Sequence, residues 1–269
     1  NVVLFRPLLT VSKIALTTYL TTQNQPWIDD PSNDNTAFDR VKIRQWIGQQ
    51  DDPELLVERF AGTADNMGRV KDFLESEVER SAKYVVTTYP EGYCIFDHQK
   101  FYALHPEISY RLFAKIIGWV SGNYYKPRFD ALKRAYSQIK DGNIVTLNGC
   151  YIQTDKGQII IMREQAAIEK RMFLPADGTL VWDNRFLCQF KGKSNDKMMV
   201  DCLEQAGFLE LVEKILPKTY ENLPKKVIYT LPVIKNLENI LAIPHLGYYS
   251  NDGCNLGDVS CELLKQQPF

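Results

Sequence analysis

Between Trp27 and Arg44 the chain reads WIDDPSNDNTAFDRVKIR, and its charged residues are spaced for handling an anion. Pro31 forces Asp30 out of helical geometry, and Ser32, Asn33 and Asp34 are loop and N-cap types. In the helix that follows, Arg40 and Arg44 sit four apart and project from one face. Backbone N–H groups beside a helix start, together with paired guanidinium groups, suit anionic oxygens. The plainer alternative is a capped surface helix with two solvated arginines, since exposed charges usually just solvate.

A second concentration of chemistry lies between Tyr124 and Lys140. Lys126, Arg128, Lys133, Arg134 and Lys140 outnumber the single Asp130, and Tyr124 and Tyr125 stand at the entrance. Cations at this density can follow a phosphate backbone while an aromatic ring stacks on a base. A solvated helix face with two core tyrosines is the other reading. A weaker basic patch comprises Arg185, Lys191, Lys193 and Lys197. Gly192–Lys193–Ser194 resembles the end of a nucleotide-binding loop, but the first glycine of that pattern would fall at Leu187, so the loop cannot form. Trp182, Asp183 and Glu204 have no catalytic partner at a readable spacing and are assigned to strand core and surface helix.

The composition bounds the rest. A chain of 269 residues with 45% hydrophobic content is globular and long enough for one large or two ordinary domains. A formal net charge of −1 excludes a global basic field, so a nucleic-acid partner must be engaged through local patches. The six cysteines include no C-x-x-C pair and the three histidines are far apart, which argues against a zinc or dithiol site. Reduced, mostly buried thiols are expected, as in a cytoplasmic protein. No uninterrupted apolar run has membrane length, and Arg6 and Lys13 break the apolar N-terminal stretch, so no membrane partner is expected.

The elements that must position these residues follow from periodicity. Residues 1 to about 48 read as strand, helix, polar turn, helix, with Val11, Ile14, Ala15 and Tyr19 on one helical face. Pro53 opens a long charged helix in which Leu56, Phe60, Ala64, Met67, Val70, Phe73, Leu74 and Val78 recur at helical spacing. Tyr93 to Leu104 suggests a short strand pair. His105–Pro106–Glu107 starts a helix with Ile108, Leu112, Phe113, Ile116, Ile117 and Val120 on its apolar face, ended by Gly122–Asn123. The next helix, from about Pro127, buries Phe129, Leu132, Tyr136 and Ile139. Strands at Ile144–Leu147, Cys150–Gln153 and Gln158–Met162 follow, the last two joined by a tight Asp155–Lys156–Gly157 turn. A turn at Ala176–Asp177–Gly178 precedes a strand pair from Leu180 to Phe190 that breaks at Asp183–Asn184. Asn195 to Ile215 reads as helical, short strands punctuated by prolines come next, and the tail after Asn251 lacks clear periodicity.

The run from Phe5 to Arg44, with FRPLLTVSKIALTTYL ahead of the W-x-x-D-P-S-N turn and the R-x-x-x-R helix, resembles the bacterial tRNA(Ile)-lysidine synthases. Looser similar blocks follow in the family's order: Tyr124 to Cys150, Met162–Arg163–Glu164, Leu174 to Phe186, and ILAIPHLGYYS near the end. Arg40, Arg44, Asp30, Ser32 and Asn33 match the family pattern. Family members often carry Asn after the first arginine, where this chain has Val41, so no role of that Asn carries over. The family's serine-glycine-glycine-x-aspartate-serine ATP loop does not occur in this sequence.

The resemblance implies an enzyme that adenylates the wobble cytidine of an isoleucine tRNA with ATP, after which the amine of free lysine displaces AMP. On that scheme Arg40 and Arg44 stabilise developing charge, and Asp30 and Asp34 are candidates to receive or orient the amine or to hold the arginines. Asn33 and Asp34 are assigned to substrate binding. Lys126, Arg128, Lys133, Arg134 and Arg185 are the candidate RNA contacts. ATP with Mg2+ would be bound mainly by a domain that this sequence lacks, so no cofactor is expected on this chain alone. The implied partners are the anticodon region and acceptor stem of the tRNA and free lysine, with a homodimer as a possible assembly.

The expected fold is α+β: residues 1–48 the tail of an α/β nucleotide-binding domain, 49–172 a linker helix and middle tRNA-recognition domain, 173–269 a β-rich C-terminal domain. The expected identity is a C-terminal fragment or truncated product of such a ligase, inactive by itself. The rivals are a non-catalytic RNA-binding remnant and a related ATP-dependent tRNA-modifying enzyme with another nucleophile.

Overall fold

A computed structural model describes residues 4–9, 11–168, 171–175, 178–191, 198–212, 218–237, 239–250, 259–264 and 268. The chain divides into two compact units, Asn1–Arg69 and Val70–Phe269. The fold is α+β, as the sequence pattern predicts.

The first unit holds α1 (Lys13–Thr22), a 3-10 turn at Pro31–Asp34, α2 (Asp39–Gly48) and the opening turns of α3 (Pro53–Val85). Ser12 caps α1 by accepting the Ala15 N–H at 3.1 Å, and Asp52 caps α3 by accepting the Leu55 N–H at 2.9 Å. The expected leading strand is not formed by the described residues before Lys13, where Pro7 to Leu9 make a turn. The apolar face of α1 exists in sequence but is not buried: Val11, Ile14 and Tyr19 are exposed. Among the described residues of this unit Val41 is the single buried hydrophobic side chain. Phe60 and Met67, on the expected apolar stripe of α3, are exposed as well.

The second unit contains the rest of α3 and the main cores. The segment Tyr93 to Leu104, expected as a strand pair, holds one strand, β2 (Cys94–Asp97), whose partner β1 (Val86–Thr88) lies ahead of it; after Asp97 comes the short helix α4 (His98–Ala103), capped by the Asp97 carboxylate at the Lys100 N–H, 2.9 Å. There follow α5 (Pro106–Ser121), α6 (Phe129–Lys140), β3 (Val145–Leu147), β4 (Cys150–Asp155) and β5 (Gln158–Arg163). Gly122 ends α5 at φ 70°, and Lys156 and Gly157, at φ 47° and 76°, make the tight turn between β4 and β5. The five strands pair antiparallel in the order β1-β2-β5-β4-β3.

One face of that sheet carries Phe96, Ile152, Ile159 and Ile161 and packs against Val78 and Ala82 of α3, Leu112 and Ile116 of α5 and Leu132 and Ile139 of α6. The other face carries Ile160 and Met162, which meet Tyr93 and Val227. Coverage on both faces explains why Ile159 to Arg163 are all buried although side chains alternate along a strand. In α6, Phe129 is exposed and Tyr136 only half-buried, so the buried stripe is Leu132, Ala135 and Ile139.

The remaining elements are β6 (Met172–Leu174), β7 (Thr179–Trp182), β8 (Phe186–Phe190), β9 (Met198–Cys202), α7 (Glu204–Val212), α8 (Lys225–Ile228), β10 (Pro232–Lys235), β11 (Ile240–Ile243), β12 (Tyr248–Tyr249) and β13 (Val259–Leu263). They build an antiparallel sheet β12-β11-β10-β9-β6 and a second sheet β13-β8-β7. The two share a core of Trp182, Phe186 and Phe190 with Met198, Val200 and Ile234. Two expectations change here. Met198–Cys202 is a strand inside the stretch read as helical, because β10 and β6 flank it on either side. The aperiodic tail contains β13, which pairs along β8 with Cys261 opposite Cys188. The expected turn residues 176 and 177 lie outside the described residues.

Candidate functional site

Each candidate site lies within one unit. In the first, Asp30 caps the 3-10 turn, its carboxylate accepting the Ser32 N–H at 2.8 Å. That bond, the Ser32 hydroxyl and the charge of Arg40 hold the Asp30 carboxyl below the usual carboxylate range. The Arg40 guanidinium lies 5.0 Å from the centroid of the Phe38 ring, and Phe38 occupies the N-cap position of α2 without a side-chain cap bond. Arg44 projects one turn further along the same helix. Asp34 is exposed and Asn33 half-buried, both inside the 3-10 turn. The structure therefore gathers Asp30, Asn33, Asp34 and Arg40 around the turn, with both arginines exposed. Val41, where the resembled family often has Asn, is 2% exposed and serves as the packing residue of α2. Beside this turn, Lys13 and Asp29 make a solvent-exposed ion pair at 3.9 Å.

In the second unit, Lys126, Arg128, Lys133, Arg134 and Lys140 are all exposed, and among the described residues none of the five forms an ion pair. Burial of Leu132, Ala135 and Ile139 turns Lys133 and Arg134 outward. Tyr124 and Tyr125 are 93% and 81% exposed, with ring centroids 5.4 Å apart at 89°. The loop that presents them is tied down: the Asn123 amide donates to the Asn148 carbonyl at 3.0 Å, and the Asn148 amide donates to the Tyr125 carbonyl at 3.3 Å. Two large exposed rings on an anchored loop are therefore not the core tyrosines of the alternative reading.

Arg185 requires a correction. The sequence pattern puts it in a basic surface patch and among the RNA contacts, but it is 3% exposed, and its Nε–H donates to the Asp183 carboxylate at 2.7 Å. A guanidinium desolvated to this degree offers no surface to an RNA backbone. Lys193 and Lys197 of that patch lie outside the described residues, and Lys191 is exposed.

Asp183 itself, assigned to strand core, proves to be the centre of a buried charge cluster. Arg163 donates to both of its carboxylate oxygens, from Nε at 2.9 Å and Nη2 at 2.7 Å. Arg163 also donates to the Gly149 carbonyl at 2.9 Å and to the Ala167 carbonyl. Both Nη atoms of Arg185 are buried without a hydrogen-bond partner. Desolvation pushes its guanidinium down to about 10 despite the neighbouring Asp183 carboxylate. The cluster joins the end of β5 to the β7–β8 turn. The sequence signal for it was faint: an arginine closing the apolar run Ile159–Met162.

Among the described residues no three His, Cys, Asp or Glu side chains come together as a metal site, and no helix is long and apolar enough to cross a membrane. Cys188 and Cys261 face each other with their Sγ atoms 3.1 Å apart in the sheet core.

Comparison with known proteins bears out the resemblance. Residues 1–51 match the model of the PP-loop domain, a stretch that contains Asp30, Asn33, Asp34, Arg40 and Arg44. The chain is 31% identical over 264 residues to the tRNA(Ile)-lysidine synthase of Orientia tsutsugamushi, with 93% of this chain and 60% of that protein covered. The proteins of the same name in Wolbachia pipientis wMel and Rickettsia bellii are 31% and 28% identical, covering 95% and 94% of this chain and 58% and 60% of their own length. The chain thus spans about three-fifths of the relatives it matches.

Proposed function

We propose, on the premise that this chain is similar along nearly all its length to tRNA(Ile)-lysidine synthases, that it is the tRNA-recognition portion of such a ligase. In the whole reaction, ATP activates the wobble cytidine through an adenylated intermediate and free lysine supplies the nucleophile. The observation that carries the reading is the basic, outward face of α6 beside the exposed Tyr124–Tyr125 loop. Unpaired exposed cations release counterions when they meet phosphates, which supplies affinity. Exposed rings on a fixed loop supply stacking on unpaired bases.

The first unit contributes charge rather than a nucleotide cradle. Arg40 and Arg44 extend into solvent from α2 and suit a phosphate or a developing negative charge presented to that face. Asp30, held ionised by the Ser32 N–H and Arg40, suits orientation of a cationic amine. Asn33 and Asp34 would line the same turn. The described residues of this unit include no glycine-rich loop and no unpartnered buried polar atom. These side chains alone do not fit ATP with Mg2+, and no step through the nucleotide is derived from them.

The test is binding of this chain to isoleucine tRNA with a cytidine wobble base, against methionine tRNA, across a salt series. Selective binding is expected. Changing Lys133 and Arg134 together to Ala should flatten the dependence of log K on log salt by roughly 1.5. Binding no tighter than that of a neutral control protein refutes the recognition role.

A further inference from the structure

A cleft of about 400 Å3 opens where the end of α5 meets the β7–β8 turn. Trp119, Asn123, Tyr124, Lys126 and Asn184 line it, and Leu264 forms part of an apolar rim. Its volume is in the range of small-ligand sites, and its chemistry is specific in kind. Two aromatic rings offer π-faces, two carboxamides each offer both a donor and an acceptor, and Lys126 is an exposed cation with no ion pair among the described residues. We infer that this cleft receives one unstacked base of a single-stranded RNA segment, with Lys126 at the adjoining phosphate. The inference rests on the RNA-binding reading and extends it from a charged surface to a pocket for one nucleotide.

The backbone that carries the two carboxamides is held in place before any ligand arrives. Asn184 follows Asp183 in the three-residue turn between Trp182 and Phe186, both at left-handed φ, 52° and 50°. Asp183 is pinned by Arg163 and Arg185, so the turn that carries Asn184 is anchored through buried ion pairs. The Asn123 amide is oriented by its bond to the Asn148 carbonyl, which leaves its carboxamide oxygen and second N–H for a ligand. Gly122 permits the close approach of the two walls: a Cβ there would lie 2.7 Å from the Asp183 carbonyl oxygen. A base stacked on an aromatic wall and read by carboxamides carried on an anchored backbone is the mode by which proteins bind splayed-out bases. A duplex would not fit it, because paired bases expose neither face.

The experiment compares single-stranded and duplex RNA probes of about twelve nucleotides, at one salt concentration and then across a salt series. Tyr124→Ala should weaken single-strand binding about tenfold, leave duplex binding unchanged and leave the salt slope unchanged. Asn184→Gly removes the carboxamide while retaining a residue at ease with positive φ, and should also weaken only single-strand binding. RNA binding that ignores both substitutions, or loses single-strand and duplex affinity equally, overturns the pocket and leaves the recognition role standing. No RNA binding by the unaltered chain overturns both.

Discussion

The Asp183→Asn substitution isolates the charge at the centre of the buried cluster. Asn is nearly isosteric and tolerates the φ of 50° found at this position, so backbone strain does not enter. The parent side chain accepts charge-assisted bonds at 2.9, 2.7 and 2.7 Å from Arg163 and Arg185, which are 6% and 3% exposed. Neutralising it leaves two like charges buried without a counterion between them. Removal of one member of a buried ion pair costs about 3–5 kcal/mol, and Asn retains one acceptor, which places the expected loss near ~3 kcal/mol. Urea unfolding, with the slope checked for constancy, reads this directly as a lower midpoint. Arg185→Met should behave in the opposite way. It removes a desolvated cation with two unpartnered nitrogens and leaves the bidentate Arg163–Asp183 pair intact, so stability should hold or rise. An Asp183→Asn protein within about 0.5 kcal/mol of the parent would show that the cluster does not anchor the β7–β8 turn.

Gly122→Ala places a Cβ at φ 70° against the Asp183 carbonyl and the Arg185 side chain, and should cost about 2–4 kcal/mol, read by thermal unfolding. Gly142→Ala, at φ 82° with no atom within 4 Å, should cost only about 1 kcal/mol in the same assay. His245 is held neutral, because burial and the charge of Arg185 push its imidazole down to about 4. Between pH 6.5 and 4 the unfolded chain takes up a proton that the folded chain does not, so this contribution is complete above pH 6.5 and falls on acidification. His245→Gln should therefore lose less stability between pH 7 and pH 5 than the parent, by up to about 2 kcal/mol, measured as urea midpoints at the two pH values.

Much of this protein was legible in its residues. Proline and glycine at element ends and 3.6-residue periodicity located α5 and α6. The Asp155–Lys156–Gly157 turn located the β4–β5 hairpin, because these signals act within a few residues of one another. The outward basic face of α6 was legible for the same reason: cations beside Leu132, Ala135 and Ile139 can point only away from the core. The similarity to lysidine synthases was also a property of residue order alone.

Burial and long-range pairing were not legible. Nothing within ten residues of Met198 marks it as a strand, since its partners lie in β6 and β10. β13 pairs along β8, about seventy residues earlier in the chain. Arg185 looked like any surface cation. Only the tertiary structure desolvates it and brings Arg163 to the far side of Asp183, twenty residues away in sequence. The apolar face of α1 shows the converse, since periodicity can write such a face but only a packing partner can bury it. A side chain's charge state and exposure depend on what the fold brings against it, and that is set by contacts distant in sequence, whereas caps, turns and periodicity are set by neighbours.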